Sequence, residues 1–228
     1  MILTAHQPAY LPWLGLFDKI SMADTYVFMD DVIYSKSDFS NRNKIYDKSK
    51  NQPEWLSIPL ERSGKGGVKF YDIKINGDKW KRQHLGKILS NYSKTPYFDK
   101  YFPELESIIS SDYKFLADFN YDLLIYFLNI LNIKVDIVKA SSLKISSTGN
   151  QYLIDICISL GANIYIFGEQ GRNYADFEAF KNNGIDAHFQ KYKHPIYNNA
   201  GKSFFPDMSI IDLLFNEGDN AFKILSNK

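Results

Sequence analysis

The start of the chain constrains the fold most, because an apolar run at residues 2–5 is followed by a loop that contains Pro8 and Pro12. Proline disrupts helices and central strands, so this segment is predicted to be a stiff loop that joins a strand to a helix beginning near Leu14. In open α/β sheets, ligands bind at the carboxyl ends of the strands, which is where such a loop lies. The polar and aromatic side chains of the loop are His6, Gln7, Tyr10 and Trp13.

Spacing alone leaves two interpretations of this loop open. One is binding or catalysis, because a stiff loop presents its functional groups with little conformational entropy left to lose. The other is packing, because aromatic rings and prolines near a terminus also close the end of a core, and a single histidine is often structural.

Strand-like and helix-like segments alternate over most of the chain. This rhythm predicts an α/β fold with a Rossmann-like, mostly parallel sheet and right-handed crossovers. We expect a single α/β domain over residues 1–228, with a largely helical insertion or cap at about residues 77–132. The predicted strands are residues 2–5, 26–29, 134–138, 163–167 and 187–190. The predicted helices are residues 14–23, 80–92, 98–109, 115–131, 149–160, 174–182 and 208–216.

A hairpin is predicted between residues 55–60 and 69–75, where apolar and polar residues alternate, with a glycine-rich tip at residues 63–67. The tip lacks the glycine and lysine pattern of a phosphate-binding P-loop. Residues 35–53 are polar and rich in turn-forming residues, which predicts a long surface loop.

Charge, cysteine content and hydropathy narrow the function classes. A formal net charge of +1 disfavours broad binding to a nucleic-acid backbone, but it is compatible with a compact anion such as a nucleoside diphosphate. The single cysteine, Cys157, excludes an intramolecular disulfide, and its apolar helical surroundings predict a core residue. Neither a signal peptide nor an apolar stretch long enough to span a membrane is visible, so we expect a cytoplasmic protein.

Arg42 stands between Asn41 and Asn43 in the predicted surface loop. A guanidinium in this setting can clamp a diphosphate, with the two amides orienting the ligand. The alternative is an ordinary surface charge in a solvated loop.

Two later segments have similarly open interpretations. Residues 168–174 follow a predicted parallel strand, and their backbone N–H groups suit an anion, although an ordinary loop with left-handed glycines is the alternative. Residues 194–197 are extended by a proline, and they either line a pocket wall or only fix a turn.

His6 is the best acid–base candidate in the chain, because an imidazole with a pKa of about 6.5 accepts a proton near neutral pH. The four histidines lack the spacing of a metal site, so no metal is predicted. The chain also lacks a GxSxG nucleophile elbow.

Taken together, these residues resemble the WbqC-like family. The resemblance covers essentially the whole chain, its opening motif is specific to the family, and the chain departs from the family pattern at residues 149–151 and 198–199. The matching residues are His6-Gln7-Pro8, Tyr10-Leu11-Pro12-Trp13, Gly15, Lys19-Ile20, Ala23-Asp24, Asn41-Arg42-Asn43, Trp80, His84, Tyr92, Pro96-Tyr97-Phe98, Tyr165, Gly168, Tyr174, Gly184-Ile185, His194-Pro195, Tyr197 and residues 209–216.

The resemblance implies a role in bacterial O-antigen or other surface-polysaccharide biosynthesis. It implies an N-acyl or aminoacyl transferase that acts on the amino group of a dTDP- or UDP-linked amino sugar, with glycyl transfer onto a 4-amino group as the preferred case. The second partner is then a small acyl or amino-acid donor. The alternative is a non-catalytic protein of the same pathway that binds or scaffolds the nucleotide sugar.

Within this expectation, the first loop carries the chemistry and the other polar segments bind the substrate. The catalytic candidates are His6 as general base, and Gln7 or Tyr10 as hydrogen-bond donor to the oxyanion. The substrate-binding candidates are Trp13, Asn41, Arg42, Asn43, Gly168, Gln170, Gly171, Tyr174, His194 and Tyr197.

No cofactor is assigned, and ATP is the alternative. A strand, a loop that bears a histidine and a helix also occur in nucleotidylyl-transfer folds that activate a carboxylate with ATP. Those enzymes place a second histidine three residues further on in an HxGH motif, and this chain has Ala9 at that position. The version that does not consume ATP is therefore preferred.

Overall fold

The computed structural model describes residues 1–36, 39–61, 67–199, 201 and 203–226. The strands are β1 (Ile2–His6), β2 (Thr25–Phe28), β3 (Arg42–Asp47), β4 (Gln52–Ser57), β5 (Asp136–Lys139), β6 (Ile164–Phe167) and β7 (Asp186–Phe189). The helices are α1 (Leu14–Ser21), α2 (Lys79–Tyr92), α3 (Phe98–Ser110), α4 (Leu116–Ile130), α5 (Gly149–Leu160), α6 (Phe177–Asn182), α7 (Ile210–Glu217) and α8 (Ala221–Leu225). In this part of the chain, no helix combines the length and the apolar character needed to cross a membrane.

Five parallel strands form the main sheet, in the order β5-β2-β1-β6-β7. The chain proceeds from β1 through β2 to β5, and then returns to the other side of β1 to add β6 and β7. This is a doubly wound, Rossmann-like order, and it confirms the predicted α/β fold. The direction of winding reverses between β1 and β6, which makes their carboxyl ends the topological switch point of the sheet.

The strands of the sheet are apolar because helices cover both of its faces. On one face, α1 buries Phe17 and Ile20 in a core that also contains apolar side chains of α2, α3 and α4. On the other face, α5 buries Ile154 and Cys157 beside α6. The predicted core position of Cys157 is confirmed, and burial raises the pKa of its thiol to about 12.

The middle of the chain forms a second group of elements between β2 and β5. The three helices predicted there are present as α2, α3 and α4, with ends within two residues of those predicted. A two-stranded antiparallel hairpin of β3 and β4 precedes them. The α2 helix and the hairpin pack together, and a hydrogen bond from the Tyr46 backbone N–H to the Tyr92 hydroxyl (2.8 Å) joins them.

The predicted hairpin was placed too late in the chain. Residues 42–47, predicted as part of a surface loop, form β3 and pair with β4. Residues 69–75 form a short 3₁₀ turn at Phe70–Asp72, with only single bridges such as Leu60 to Ile75. The glycine-rich tip predicted at residues 63–67 lies outside the described residues, apart from Gly67.

Candidate functional site

The switch point of the sheet brings together two of the segments singled out in the sequence. Thr4 of β1 lies opposite Ile166 of β6, so His6 and Gly168, each two residues further on, reach the same edge of the sheet. A Cβ atom built on Gly168 would meet no other atom within 4 Å, so the carboxyl end of β6 faces open space. The expected crevice at this edge therefore has His6 on one side and Gly168 on the other.

The loop after β1, residues 7–13, is held by backbone hydrogen bonds on two sides. The Tyr10 N–H donates to the Phe39 carbonyl (3.0 Å), and the Ile210 N–H donates to the Pro12 carbonyl (2.8 Å). Leu11 adopts a left-handed conformation with φ of 42°, which a leucine adopts only when its surroundings impose it. The loop is thus fixed in place before any ligand arrives.

His6 presents a neutral imidazole with one free nitrogen. Burial, reinforced by the nearby positive charge of Lys19, lowers the pKa of His6 to about 3, so the ring is uncharged at neutral pH. Its Nδ1 lies 2.7 Å from the Gln7 carbonyl oxygen, which can only accept, so Nδ1 carries the proton. The lone pair is then on Nε2, for which no other described residue supplies a donor.

Lys19 is a buried cation close enough to His6 to act on its pKa. Its ammonium group donates to the carbonyl of Ala5 (2.9 Å), and the residue is 5% exposed. Burial lowers the pKa of Lys19 to about 8, which leaves the ammonium mainly protonated at pH 7. No chemical signal distinguishes Lys19 in the sequence beyond its place in the family resemblance.

Gln7 follows His6 directly in the chain, and Trp13 contacts the imidazole. The Gln7 side chain is half-buried, and its amide makes no hydrogen bond to any described residue, so its N–H groups are available to a ligand. The Trp13 ring packs against His6 edge to face, with 5.1 Å between ring centroids. Trp13 therefore borders the crevice beside His6, and Gln7 supplies an amide without a described partner next to it in the sequence.

The structure corrects the catalytic assignment of Tyr10. Its side chain is fully buried, and its hydroxyl is 2.8 Å from Nδ1 of His84 in α2. His84 also donates to the backbone of Ser57, so Nδ1 is the acceptor of the tyrosine proton. A hydroxyl committed in this way cannot stabilise an oxyanion in the crevice, and Tyr10 anchors the first loop to α2 instead.

The two asparagines beside Arg42 are also structural. Asn43 is fully buried, and its amide nitrogen donates to the Leu11 carbonyl (2.5 Å), which holds the strained part of the first loop. Asn41 donates to the Ile58 carbonyl (2.8 Å) and accepts from the Tyr34 hydroxyl (3.2 Å). The buried amide of Asn43 therefore has no free group with which to orient a ligand directly, and the oxygen and nitrogen of the Asn41 amide are both already used in the fold.

Arg42 lies on the outer face of the hairpin, where it joins a row of aromatic rings that leads from His6. Its guanidinium carbon is 5.0 Å from the centroid of the Trp55 ring. Trp55 packs against Phe39 (5.8 Å between centroids), and Phe39 packs against Trp13 (6.2 Å). We call Trp13, Phe39 and Trp55 the aromatic shelf.

Sequence reasoning missed Phe39, Lys44 and Trp55. The one available signal is the spacing of Arg42 and Lys44 by two residues, which puts both cations on one face of a strand, but Asn43 between them is polar, so the apolar alternation is incomplete. The surrounding turn-forming residues concealed it.

The segment after β6 contributes less than predicted. Gly171 is a packing residue, because a Cβ atom there would come within 2.7 Å of Phe167, and its N–H donates to the Gly168 carbonyl. Gln170 is exposed at the start of a short 3₁₀ helix, Glu169–Asn173, so the segment directly after β6 does not begin a long helix. Tyr174 is 60% exposed and touches the Phe167 ring, which leaves it available for stacking.

The two predicted binding residues near the carboxyl terminus are structural. Nδ1 of His194 donates to the Pro195 carbonyl (2.9 Å), and Nε2 accepts from the Asp207 N–H (3.1 Å), so both ring nitrogens are used in a turn. The Tyr197 hydroxyl donates to Asp212 (2.7 Å), a carboxylate in α7 that is 2% exposed. These bonds correct the assignment of His194 and Tyr197 to substrate binding.

The carboxylates at the end of β2 brace the neighbouring segment. Asp30 accepts from the backbone N–H (2.9 Å) and the hydroxyl (2.7 Å) of Ser141. Asp31 accepts a hydrogen bond from the Tyr152 hydroxyl in α5. Within the described ranges, no three histidine, cysteine or acidic side chains converge as a metal site would require.

Two surface concavities of about 600 and 590 Å³ lie away from the crevice. The first is lined by α2 residues such as Arg82, and the second by residues near Asp24 at the amino end of the sheet. Neither is lined by a residue of the first loop. The candidate site is therefore identified by its chemistry and its position in the sheet, and not by the depth of a cavity.

Comparison with known proteins identifies relatives along the full length of the chain. The sequence profile of the WbqC-like protein family matches residues 7–224. The uncharacterized protein Rv1507c of Mycobacterium tuberculosis is 29% identical over 217 residues, which cover 94% of this chain and 93% of that protein. No solved structure matches the chain. Because the family profile spans nearly every residue, including the whole first loop, the chain belongs to the WbqC-like protein family.

Proposed function

We propose that the protein is an enzyme that forms an amide on the amino group of a nucleotide-linked amino sugar. The carrier is a dTDP or UDP group, and the donor is a small acyl or amino-acid group, with glycyl transfer onto a 4-amino group as the preferred case. The pathway is bacterial O-antigen or other surface-polysaccharide biosynthesis. One observation carries the proposal: a neutral imidazole, His6, has a free Nε2 at the switch point of a doubly wound sheet.

In the proposed reaction, the neutral amine of the sugar attacks the carbonyl carbon of the donor. The new C–N bond forms, the π electrons move onto the carbonyl oxygen, and the nitrogen becomes positively charged and acidic. Nε2 of His6 takes a proton from that nitrogen. The intermediate then expels the leaving group with the electron pair of its bond to carbon, and His6 returns the proton to the leaving group.

The low pKa of His6 determines the protonation state of the ring before the proton transfer. An imidazole with a pKa of about 3 is unprotonated throughout the physiological range, so Nε2 is always ready to accept.

Gln7 is the remaining donor for the oxyanion, because Tyr10 is committed to His84. Gln7 is next to His6 in the sequence, and its partly buried amide makes no hydrogen bond to a described residue. A single well-placed donor of this kind contributes about 3–4 kcal/mol to transition-state stabilisation in other enzymes. Orientation of the two reactants by the rigid loop supplies a further part of the barrier reduction.

The test is donor-dependent product formation. The purified protein is incubated with a dTDP-linked 4-amino sugar and, in separate reactions, acyl-coenzyme A thioesters, or glycine with and without ATP. Mass spectrometry should detect the sugar with one added acyl or aminoacyl group. The His6→Gln variant should lose activity by about 10²–10⁴-fold, because its amide cannot take up the proton.

The exposed His188 at the end of β7 provides the matched control, since His188→Gln changes the same residue type outside the crevice. Full activity of His6→Gln would exclude His6 as the base. Binding of the sugar without product from any donor would favour the non-catalytic nucleotide-sugar-binding or scaffold role. A product that appears only with ATP would assign the ATP-dependent alternative.

A further inference from the structure

The outer face of the β3–β4 hairpin holds two cations against a single aromatic ring. Lys44 is paired directly with Trp55 across the two strands, and Arg42 precedes Lys44 by two residues, which puts it on the same face. The Arg42 guanidinium carbon lies 5.0 Å, and the Lys44 ammonium 5.3 Å, from the centroid of the Trp55 ring. The ring therefore keeps two positive charges close together.

Neither cation has a carboxylate partner among the described residues. The hairpin itself contains two acidic residues, and both are engaged elsewhere. Glu54 forms an ion pair with Lys87 of α2 (2.5 Å), while Asp47 accepts from Ser49 (2.7 Å) and pairs with Lys50 (3.2 Å). Two like charges held together without a counter-ion repel each other, and the binding of a compact dianion removes that repulsion.

The rings beside the cations are unusually exposed for their size. Phe39 is 41% exposed and Trp55 is 42% exposed, and the two rings are in contact with an interplanar angle of 33°. Large aromatic side chains grouped at the surface are typical of binding sites for ligands with flat faces, because stacking removes both partners from water.

The shelf is continuous with the crevice and is fixed to it. Successive ring contacts of 5.1, 6.2 and 5.8 Å lead from His6 through Trp13 and Phe39 to Trp55. The Lys44 carbonyl accepts from the Ser209 N–H (3.0 Å), and residue 209 also bridges to Trp13, so the hairpin and the first loop share one anchor. An extended ligand can thus place one end at His6 and the other on the hairpin.

We infer that Arg42, Lys44 and Trp55, with Phe39 beside them, form the subsite for a nucleoside diphosphate. This inference rests on the proposed function for the identity of the ligand, and it adds Lys44, Trp55 and Phe39 to the binding residues. The diphosphate lies between the two cations, the base stacks on the exposed rings of the shelf, and the sugar extends toward His6.

The inference is tested by the affinity of the full chain for dTDP, measured by isothermal titration calorimetry at low salt. Arg42→Gln and Lys44→Gln should each weaken binding by about tenfold, because each removes a charge-assisted contact to phosphate. Trp55→Leu should also weaken binding, whereas Trp55→Tyr, which keeps a ring, should retain most of it. Thymidine and inorganic pyrophosphate, which carry only one half of the ligand each, should bind more weakly than dTDP.

Lys114→Gln is the matched control, because Lys114 lies 5.3 Å from the centroid of the Phe115 ring, the same arrangement outside the shelf. The inference fails if wild-type protein binds neither dTDP nor UDP, or if Arg42→Gln, Lys44→Gln and Trp55→Leu bind the nucleotide as tightly as Lys114→Gln. The readout is separate from turnover. Normal dTDP binding by His6→Gln together with weak binding by Lys44→Gln would support the subsite even if no amide product were ever found.

Discussion

Lys19 and His6 form an unusual pair of neighbours, since a buried ammonium group donates to the peptide just before a partly buried imidazole. Burial lowers the pKa of both groups, but it affects them differently at neutral pH. His6, with a pKa of about 3, is uncharged, while Lys19, with a pKa of about 8, stays mainly charged. The positive charge of Lys19 is one of the reasons that His6 stays neutral.

Removal of that charge should raise the pKa of His6. In Lys19→Met, the repulsion that opposes protonation of the imidazole is gone, but burial, the larger cause, remains. We therefore expect the pKa of His6 to rise and to stay below 6.5, as measured by NMR titration of the imidazole resonances. Lys100→Met, at an exposed lysine that pairs with Asp219, is the control and should leave the His6 titration unchanged. An unchanged His6 pKa in Lys19→Met would contradict the proposed coupling.

Individual residues also show where sequence patterns mislead. Asn43 stands in a polar stretch that is typical of a loop, yet it is fully buried in a strand. Its burial is tolerated because its amide nitrogen donates to the first loop and its oxygen accepts from the Lys44 N–H (2.8 Å). The Leu11 carbonyl is 32 residues away from Asn43 in the sequence, so no local pattern could reveal this partner.

At the scale of elements, two buried polar clusters connect helices to the candidate site. The Tyr10–His84 hydrogen bond ties the first loop to α2. Asp212 in α7 accepts from the hydroxyls of Tyr92 in α2 and Tyr197 in the segment before α7 (both 2.7 Å). Buried hydrogen-bonded groups of this kind specify one arrangement of the elements, because any other would leave a donor or acceptor unpaired.

His84 should make the fold less stable in acid. Burial lowers its pKa to about 4, whereas in the unfolded chain it is about 6.5. Between these values the unfolded state binds a proton that the folded state refuses. The free energy of unfolding should therefore fall, as pH drops below 6.5, by about 1.4 kcal/mol per pH unit from this group alone.

The test compares urea unfolding of wild-type protein and His84→Gln at pH 7.5 and pH 5. Glutamine can still accept from the Tyr10 hydroxyl, and it does not titrate. The stability advantage of the wild type should shrink toward pH 5, because only the wild type gains a proton on unfolding at this position. His6 is present in both proteins, so its own contribution cancels. An advantage that is equal at both pH values would contradict the assignment.

The helices and the parallel strands could be predicted from the sequence because their signals are local. The apolar periodicity of α3, for example, and the apolar run of β6 place both elements within one residue of their observed ends. The hairpin could not be placed, because β3 has charged residues on its outer face and Asn43 on its inner face. Its position depends on contacts with the first loop and with α2.

At the scale of the whole molecule, the order of the strands decides where chemistry can take place. The first loop and the segment after β6 each follow a predicted parallel strand, and the sheet order brings them to one edge, since β1 and β6 are neighbours. The sequence did not predict that the β3–β4 hairpin lies close to the first loop, where Trp55 contacts Phe39 and Phe39 contacts Trp13. That arrangement arises from long-range packing, in which α7 anchors both segments.

The most direct test is a crystal structure of the protein with a bound dTDP-linked 4-amino sugar. We expect the amino nitrogen within about 3 Å of Nε2 of His6, near the Gln7 amide, and the diphosphate beside Arg42 and Lys44. Such a complex would place the reacting group at the switch point of the sheet. A sugar amine bound away from His6, for example at the exposed Tyr174 or in the concavity along α2, would contradict the proposed site.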